Sequence, residues 1–575
     1  ASPAAFVGAA AVVTVGALIP PVVVWLGKHL IDLIVAGIQG RGTFGDMTST
    51  VVALGILTGL QRAVQIYGNN QQQLFAWRVE NHATRRFLEQ ASQVDIGHFD
   101  DAAWHDRMAR ARRDVSYRPF NLTWTTIGLA GSLVSVLGML GLLASMHPVL
   151  VVLSAASVLP SIAIQRRINR KLYEWHWEMT AADREKDYMA TLLGESATAK
   201  EVRAFGLAGH LLSRHQRIDT SQFGTFFKLL RRANTSGFIT GMIGGAALAA
   251  AYGFVGARGL TGEFTAGDLA AVMGAFAAVT AQAGLIAGSL LSLEQHATFL
   301  EDYFTFLKIE TLVPVPTPAV ALPPELGRIS FEDVHFAYPL RDSNALDGID
   351  MHIDPGELIA LVGENGAGKS TIVNLLLRFY DPTQGSVRVN GIDLRDVDPA
   401  DVRSRFGVLV QDFAKFQLSL RDNVQLGRID READDTEIMA SLQTARADFL
   451  LKTMPDGLDS KAGRLFEGGH ELSGGEWQRL ALARLVFRQA DVWILDEPTS
   501  NLDPEAEAAI FSELKEQLHG RMGVVISHRF STVRVADRIY VIQDGRVAES
   551  GSHDELMSRG GRYSELFELQ AAGYR

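Results

Sequence analysis

The chain has 575 residues, no cysteine, 47 % hydrophobic and 21 % charged residues, and a formal net charge of −11, a balance that excludes both a disordered chain and a disulfide-stapled secreted scaffold. Without Cys there are no thiolate metal sites and no thiol catalysis. The acidity is uneven: residues 1–327 carry 26 Lys/Arg against 24 Asp/Glu, residues 328–575 carry 28 against 41, so the second half offers no electrostatic footprint for nucleic acid.

A helix that crosses a bilayer needs about 20 largely apolar residues. Ala1 to Gly27, Ala233 to Ala257 and Leu269 to Leu293 contain no Asp, Glu, Lys or Arg. Pro119 to Gln165 is also charge-free and long enough for two spans, broken at Met146-His147-Pro148. A sixth run, from Met47 to Trp77, carries Arg62 as its one formal charge and turns polar at Asn69-Asn70-Gln71-Gln72-Gln73. These runs predict a transmembrane domain over 1–310 with spans at about 4–27, 47–70, 120–145, 148–166, 235–257 and 269–293. A set of buried helices in a soluble protein would not need so many uncharged runs of this length. Arg62 is expensive at mid-bilayer, so it is expected either to face an aqueous cavity with Gln61 and Gln65 or to snorkel to the interface.

The connecting segments set the orientation. Residues 78–118 and 166–232 hold 8 and 13 Lys/Arg, while the other three connections hold almost none. The positive-inside rule places the basic segments and both termini in the cytoplasm. Each basic segment reads as helices reaching beyond the membrane, interrupted once, around Gly97 to Trp104 and around Gly194 to Gly206. Breaks that carry the aromatics Phe99, Trp104 and Phe205 are expected to dock, their aromatics exposed; simple hairpin turns are the plainer alternative. No Asp or Glu falls within the six spans, which argues against ion-coupled transport.

Five prolines between Pro314 and Pro324 mark a linker over 311–327. Strand-like runs then lead into Gly363-Glu-Asn-Gly-Ala-Gly-Lys-Ser-Thr371, the G-x-x-x-x-G-K-S phosphate loop, with an apolar strand before it and a helix expected over Thr371 to Phe379 after it. Backbone amides at Gly363, Asn365, Gly366 and Gly368 suit phosphates, Lys369 suits the β- and γ-phosphates, and Ser370 suits Mg²⁺, with Thr371 alongside. Val492-Trp-Ile-Leu-Asp-Glu497 ends an apolar strand in two carboxylates, which suits Asp496 to Mg²⁺ through water and Glu497 to polarising the attacking water.

With these motifs on the page, the chain resembles a half-transporter of the ATP-binding cassette (ABC) exporter type, a family of bacterial multidrug, lipid and peptide exporters. The signature stands at Leu472-Ser473-Gly474-Gly475-Glu476, and the likeness covers the whole chain. It implies a membrane all-α six-helix domain fused to a cytoplasmic α/β P-loop nucleotide-binding domain at 328–575, in the cell membrane, with ATP and Mg²⁺ as cofactors. Roles follow by position: Tyr338 on adenine, Gln411 sensing Mg²⁺, His528 near the γ-phosphate, Asp503 in the loop that crosses between cassettes, and Ser473, Gly474, Gly475 and Glu476 completing the partner cassette's site. The breaks at about 98–106 and 195–206 resemble coupling helices, the second docking on the partner. The run after Gln411 and Asn501 depart from the commonest pattern without touching a group needed for hydrolysis, and resemble a branch that includes bacteriocin and peptide exporters.

One chain holds one phosphate loop and one signature, so the resemblance implies pairing with a second copy or with a related half-transporter. The implied activity is ATP-driven export or flipping, by alternating access, of an amphipathic peptide, lipid or drug. An importer with the exporter fold and a membrane-anchored regulatory ATPase are the alternatives; an anchor would need neither the long cytoplasmic helices nor their interruptions.

Overall fold

The computed structural model describes residues 3–573 apart from 42–43, 114, 116, 340, 342, 499–512, 514–515, 519 and 528. The chain divides into two compact units, Ala1–Gln93 with Asp106–Ile309, and Val94–His105 with Glu310–Arg575.

The first unit is helical: α1 (Pro3–Ile38), α2 (Phe44–Gln93), all but the first turn of α3 (Ala102–Arg113), α4 (Arg118–Met146), α5 (Pro148–Glu178), α6 (Thr180–Gly194), α7 (Ser196–Ala204), α8 (Ala208–Leu260) and α9 (Ala266–Leu307). Among the described residues six helices are long and apolar enough to cross a membrane, namely α1, α2, α4, α5, α8 and α9. The break between α4 and α5 falls at His147, where Pro148 opens the new helix in a position that needs no N–H partner. At 50 residues, α2 is roughly 75 Å long at 1.5 Å per residue, far more than a bilayer core needs. Its polar second half accounts for the excess.

Met139, Leu143, Leu150, Val158, Val255, Val272, Phe276 and Val279 form the buried core where α4, α5, α8 and α9 meet. A capping box at Thr265 and Asp268 starts α9. There Lys28 of α1 pairs with Asp268 at 2.5 Å and Asp32 accepts the Gly267 N–H at 3.0 Å. Arg62 is exposed on α2.

Residues 94–105 belong to the second unit although the membrane helices flank them in sequence. A short 3₁₀ turn spans Ile96–Asp100, and Asp95 Oδ2 accepts the N–H groups of Leu312 (2.5 Å) and Val313 (3.2 Å). One expectation is corrected here: Trp104 is fully buried, with its ring 5.6 Å from His98 and 5.7 Å from Phe99, whereas Phe99 and Phe205 are exposed. Indole area is worth most when removed from water, and in this turn Trp104 serves as the anchor.

The rest of the second unit is α/β. Strands β1 (Ile329–Phe336), β2 (Leu346–Ile353), β3 (Leu358–Val362), β4 (Gln384–Val389), β5 (Ile392–Asp393), β6 (Phe406–Leu409), β7 (Val492–Asp496), β8 (Met522–Ile526), β9 (Arg538–Gln543) and β10 (Arg546–Gly551) make two sheets. The antiparallel sheet runs β2-β1-β4-β5, and the six-stranded sheet runs β10-β9-β3-β8-β7-β6. β9, β3, β8, β7 and β6 are parallel neighbours. Strands covered on both faces read as continuous apolar runs, as Leu358-Ile-Ala-Leu-Val and Met522-Gly-Val-Val-Ile do.

Helices α10 (Lys369–Leu376), α11 (Pro399–Ser404), α12 (Leu420–Gln425), α13 (Asp435–Thr444), α14 (Leu450–Thr453) and α15 (Gly474–Arg488) complete what positions the site. α10 starts two residues before the expected Thr371, because the backbone turns helical directly after Gly368, and stops before Phe379 as Arg378 turns to φ 49°.

Candidate functional site

Register brings the site together. Ile526 of β8 pairs with Leu361 of β3 on one side and with Asp496 of β7 on the other, so the carboxyl ends of three strands finish level. Crevices at such strand ends are where open α/β sheets bind ligands. The loop after β3 wraps into α10 through Gly368, whose φ of 108° and closeness to Ala345 O (2.9 Å from an added Cβ) leave no room for a side chain.

Lys369 is buried, and its ammonium donates to Gly363 O and Glu364 O, both at 2.8 Å. Burial lowers its pKa, and the charges of Asp496 and Glu497 work the other way. Asp496 is pushed up to about 6, by burial first and by Glu497 beside it, with Lys369 opposing. Two carboxylates meet one lysine here, and the excess negative charge is what a cation would relieve.

Glu497 stands in the left-handed region, φ 49°, which is rare outside Gly and Asn and costs of order 1 to 3 kcal/mol. Hydrogen bonds hold it: its N–H donates to Ile526 O (2.9 Å), its Oε2 accepts Gln411 Nε2 (3.0 Å) and its carbonyl accepts Gln478 Nε2 (3.2 Å). The carboxylate is therefore oriented before any ligand arrives. Gln478 lies on α15 and is buried. It was missed in the sequence, where only its place two residues beyond the signature hinted at it.

A cleft of about 540 Å³ runs over these groups. Of the residues named from sequence, Tyr338, Asn365, Gly366, Gly368, Lys369, Ser370, Thr371, Gln411, Asp496 and Glu497 line it, and Arg341, Ser343, Asn344, Ala345 and Ile526 join them. Gly363 lines a smaller cavity, which Asn365 and Gly366 also border. The hydroxyl of Tyr338 pairs with Thr371 Oγ1 at 3.0 Å and accepts Asn374 Nδ2 at 3.2 Å. Ser473 to Glu476 do not line the cleft; they open α15 with a capping box, Glu476 Oε2 accepting Ser473 N–H at 2.6 Å. His528 and Asp503 lie outside the described residues.

The donors that face the cleft suit Mg²⁺: a hydroxyl, an amide oxygen and one carboxylate are hard oxygen ligands, with the remaining positions left to water and phosphate. Among the described residues no group of three or more His, Asp or Glu is placed to hold a metal ion by itself.

The sequence profile of the ABC transporter family matches residues 346–500. Over 558 residues, 96 % of this chain and 89 % of the other, the sequence is 31 % identical to the ATP-dependent lipid A-core flippase of Chromobacterium violaceum. The chain is an ABC exporter. An ABC exporter couples ATP hydrolysis to transport across a membrane, and the phosphate loop and six apolar helices of this one are the two parts that requires. Another similar ABC protein is the subtilin transport ATP-binding protein SpaT of Bacillus subtilis, 26 % identical over 557 residues, 96 % of this chain and 89 % of that one. The exporter fold extends through the whole chain: a bacterial Atm1-family ABC exporter with ATP bound superposes with a TM-score of 0.83, covering 99 % of this chain and 98 % of the other at 23 % identity.

Proposed function

We propose that two copies of this chain form a homodimeric ATP-driven exporter or floppase for an amphipathic peptide or lipid. The observation that carries the dimer is the place of the signature: Ser473 to Glu476 lie outside the cleft that holds Lys369, Asp496 and Glu497. A helix N-terminus of this kind favours an anion, and the family arrangement faces it to the γ-phosphate in the opposite cassette. Glu497 and the signature are intact, so each of the two sites would be competent; pairing with a related half-transporter is the alternative.

In this reading ATP displaces the internal bonds of Lys369, whose ammonium turns from Gly363 O and Glu364 O to the phosphates. Ser370 and Gln411, with Asp496 through water, would hold Mg²⁺, which would supply charge neutralisation on the phosphates. Glu497, fixed by Gln411 and Gln478, orients the attacking water. Tyr338 stacks on adenine, and His528 and Asp503 act at the γ-phosphate and between cassettes. Closure of the cassettes is passed to the membrane helices through residues 98–106 and 195–206, and hydrolysis resets them. Both termini and the cassette lie in the cytoplasm, consistent with the basic segments 78–118 and 166–232.

The substrate class follows from two features. The spans, at about 4–27, 47–70, 120–145, 148–166, 235–257 and 269–293, carry no carboxylate, which fits an apolar or amphipathic cargo rather than a coupling ion. Relatives named for subtilin, nisin and lipid A-core transport support a peptide or lipid.

The test is ATPase activity of the purified chain in lipid nanodiscs, with Glu497→Gln as the blank and a panel of peptides, lipids and amphiphilic drugs. Hydrolysis above the blank, stimulated by a peptide or lipid, is the expected result. Hydrolysis no greater than the blank would overturn the homodimer and favour a partner chain.

A further inference from the structure

Tyr380 follows the end of α10 and is buried, yet it does not line the nucleotide cleft. Its ring packs edge to face on Phe336 and on Tyr338, each at 5.3 Å, and Phe336 and Tyr338 meet at 4.9 Å. Its hydroxyl donates to Asp100 Oδ2 at 2.7 Å. Burial and the neighbouring Asp100 carboxylate both push the Tyr380 hydroxyl pKa upward, so it stays a donor at any working pH. The three-ring cluster thus has two ends. One end, Tyr338, stands in the cleft with its hydroxyl on Thr371 of the phosphate-loop helix. The other is a single hydrogen bond to the turn at Ile96–Asp100, the connection between α2 and α3.

We infer that Tyr380 relays occupancy of the adenine site to the segment 94–105, with Asp100 as its acceptor. The inference rests on the reading of Tyr338 as the adenine contact. A nucleotide in the cleft competes for Thr371 and for the face of Tyr338, so the Tyr338 ring must shift, and the edge of Tyr380 rests on that ring. Tyr380 has no slack to absorb the shift. At Gly97 a Cβ would come within 3.0 Å of Tyr380 Cε1 and 2.8 Å of Leu312 Cδ1, so backbone closes one side of the ring and the rings of Phe336 and Tyr338 close another. A buried hydroxyl that left Asp100 would lose its hydrogen-bond partner without gaining water in exchange. Asp100 therefore moves with it. Two further anchors of the segment, Asp95 on Leu312 and Val313 and His98 on Glu310 O (3.1 Å), reach the chain just after α9 and not the ring cluster. Tyr380 and Asp100 are positioning residues, since neither reaches the nucleotide.

Because the chain has no Cys, a single Gln39→Cys can carry one spin label per copy in nanodiscs. Label-to-label distances are then measured without nucleotide and with Mg-ATP, in a Glu497→Gln background that retains ATP. ATP is expected to shift the distance distribution of the parent. Asp100→Ala and Tyr380→Phe are expected to cut the shifted population roughly twofold or more, a change typical of coupling residues, while ATP affinity stays within about threefold. Asp100→Asn keeps an acceptor oxygen and is expected to restore the shift, which loss of a merely structural contact would not predict. A full shift in both Asp100→Ala and Tyr380→Phe overturns the relay. A parent with no measurable label-to-label distance overturns the dimeric reading, and a parent that binds ATP with its distance unchanged overturns alternating access; both are results separate from the relay.

Discussion

Glu497 is the residue on which the chemistry turns, and its backbone shows why it is held rather than merely present. A left-handed glutamate persists only where its surroundings over-determine it, and here the strand carbonyl of Ile526 and the side chains of Gln411 and Gln478 do so. Glu497→Gln is expected to lower ATP turnover by about 10²-fold or more, the usual contribution of a positioned acid or base, while leaving ATP binding in place; phosphate release and labelled-ATP retention measure the two. Gln478→Leu keeps the volume but leaves the Glu497 carbonyl short of a donor. It should lower turnover with little change in ATP affinity, and an unchanged turnover number would remove Gln478 from the site's support.

Among the elements, the turn at 94–105 and the linker after α9 are joined by short, directional contacts. Gly97 sits where any Cβ would press on Leu312 and Tyr380, so Gly97→Val is expected to undock the turn and reduce transport per ATP hydrolysed. Double replacement of Phe99 and Trp104 by Ala should do so more strongly, since Trp104 is fully buried; unaltered coupling in both variants would sink the assignment of this turn. Arg378 is a second fastening. Its guanidinium is buried and donates to Pro314 O at 3.0 Å, to Val397 O, and to Asp381 at 3.0 Å. Arg378→Ala leaves these acceptors unpaired, and buried network losses of this kind cost about 3 kcal/mol or more. A lower thermal midpoint of the full chain in detergent is the expected readout.

At the level of the whole molecule, four carboxylates of the cassette give its stability a defined pH window. The Arg546 guanidinium holds Asp347 below the usual carboxylate range, Arg421 does the same for Asp435, and Arg431 for Glu437; at Glu555 the Ser552 amide has that effect. Folded pKa values lie below unfolded ones, so their stabilisation is present above about pH 4 and is lost as pH falls through the folded values. The thermal midpoint should therefore drop on acidification below about pH 4, while Asp496, pushed up to about 6, opposes this between about pH 4 and 6, so that the midpoint levels off above about pH 7; calorimetry across that range checks this. These pairs are exposed and screened by salt, so the acid-side loss should also weaken at high ionic strength.

Local signals made much of this protein legible in its sequence. Charge-free runs report a bilayer because hydrocarbon must be matched residue by residue along one helix, and the phosphate loop reports a nucleotide because its glycines, lysine and serine are contiguous. What depended on chain folding back on itself was not legible. Gln411 and Glu497 are 86 residues apart and meet only because β6, β7 and β8 lie side by side. The raised pKa of Asp496 needs both its burial and the neighbouring Glu497 charge. Trp104 looked like an exposed docking aromatic and is an anchor instead, because the fold buries it fully beside His98 and Phe99. Tyr380 carried no sequence signal at all, since its meaning lies in a hydrogen bond to Asp100, 280 residues away. Composition and motif determined which chemistry this chain performs; the parallel register of the sheet and the docking of 94–105 decided which side chains hold that chemistry in place.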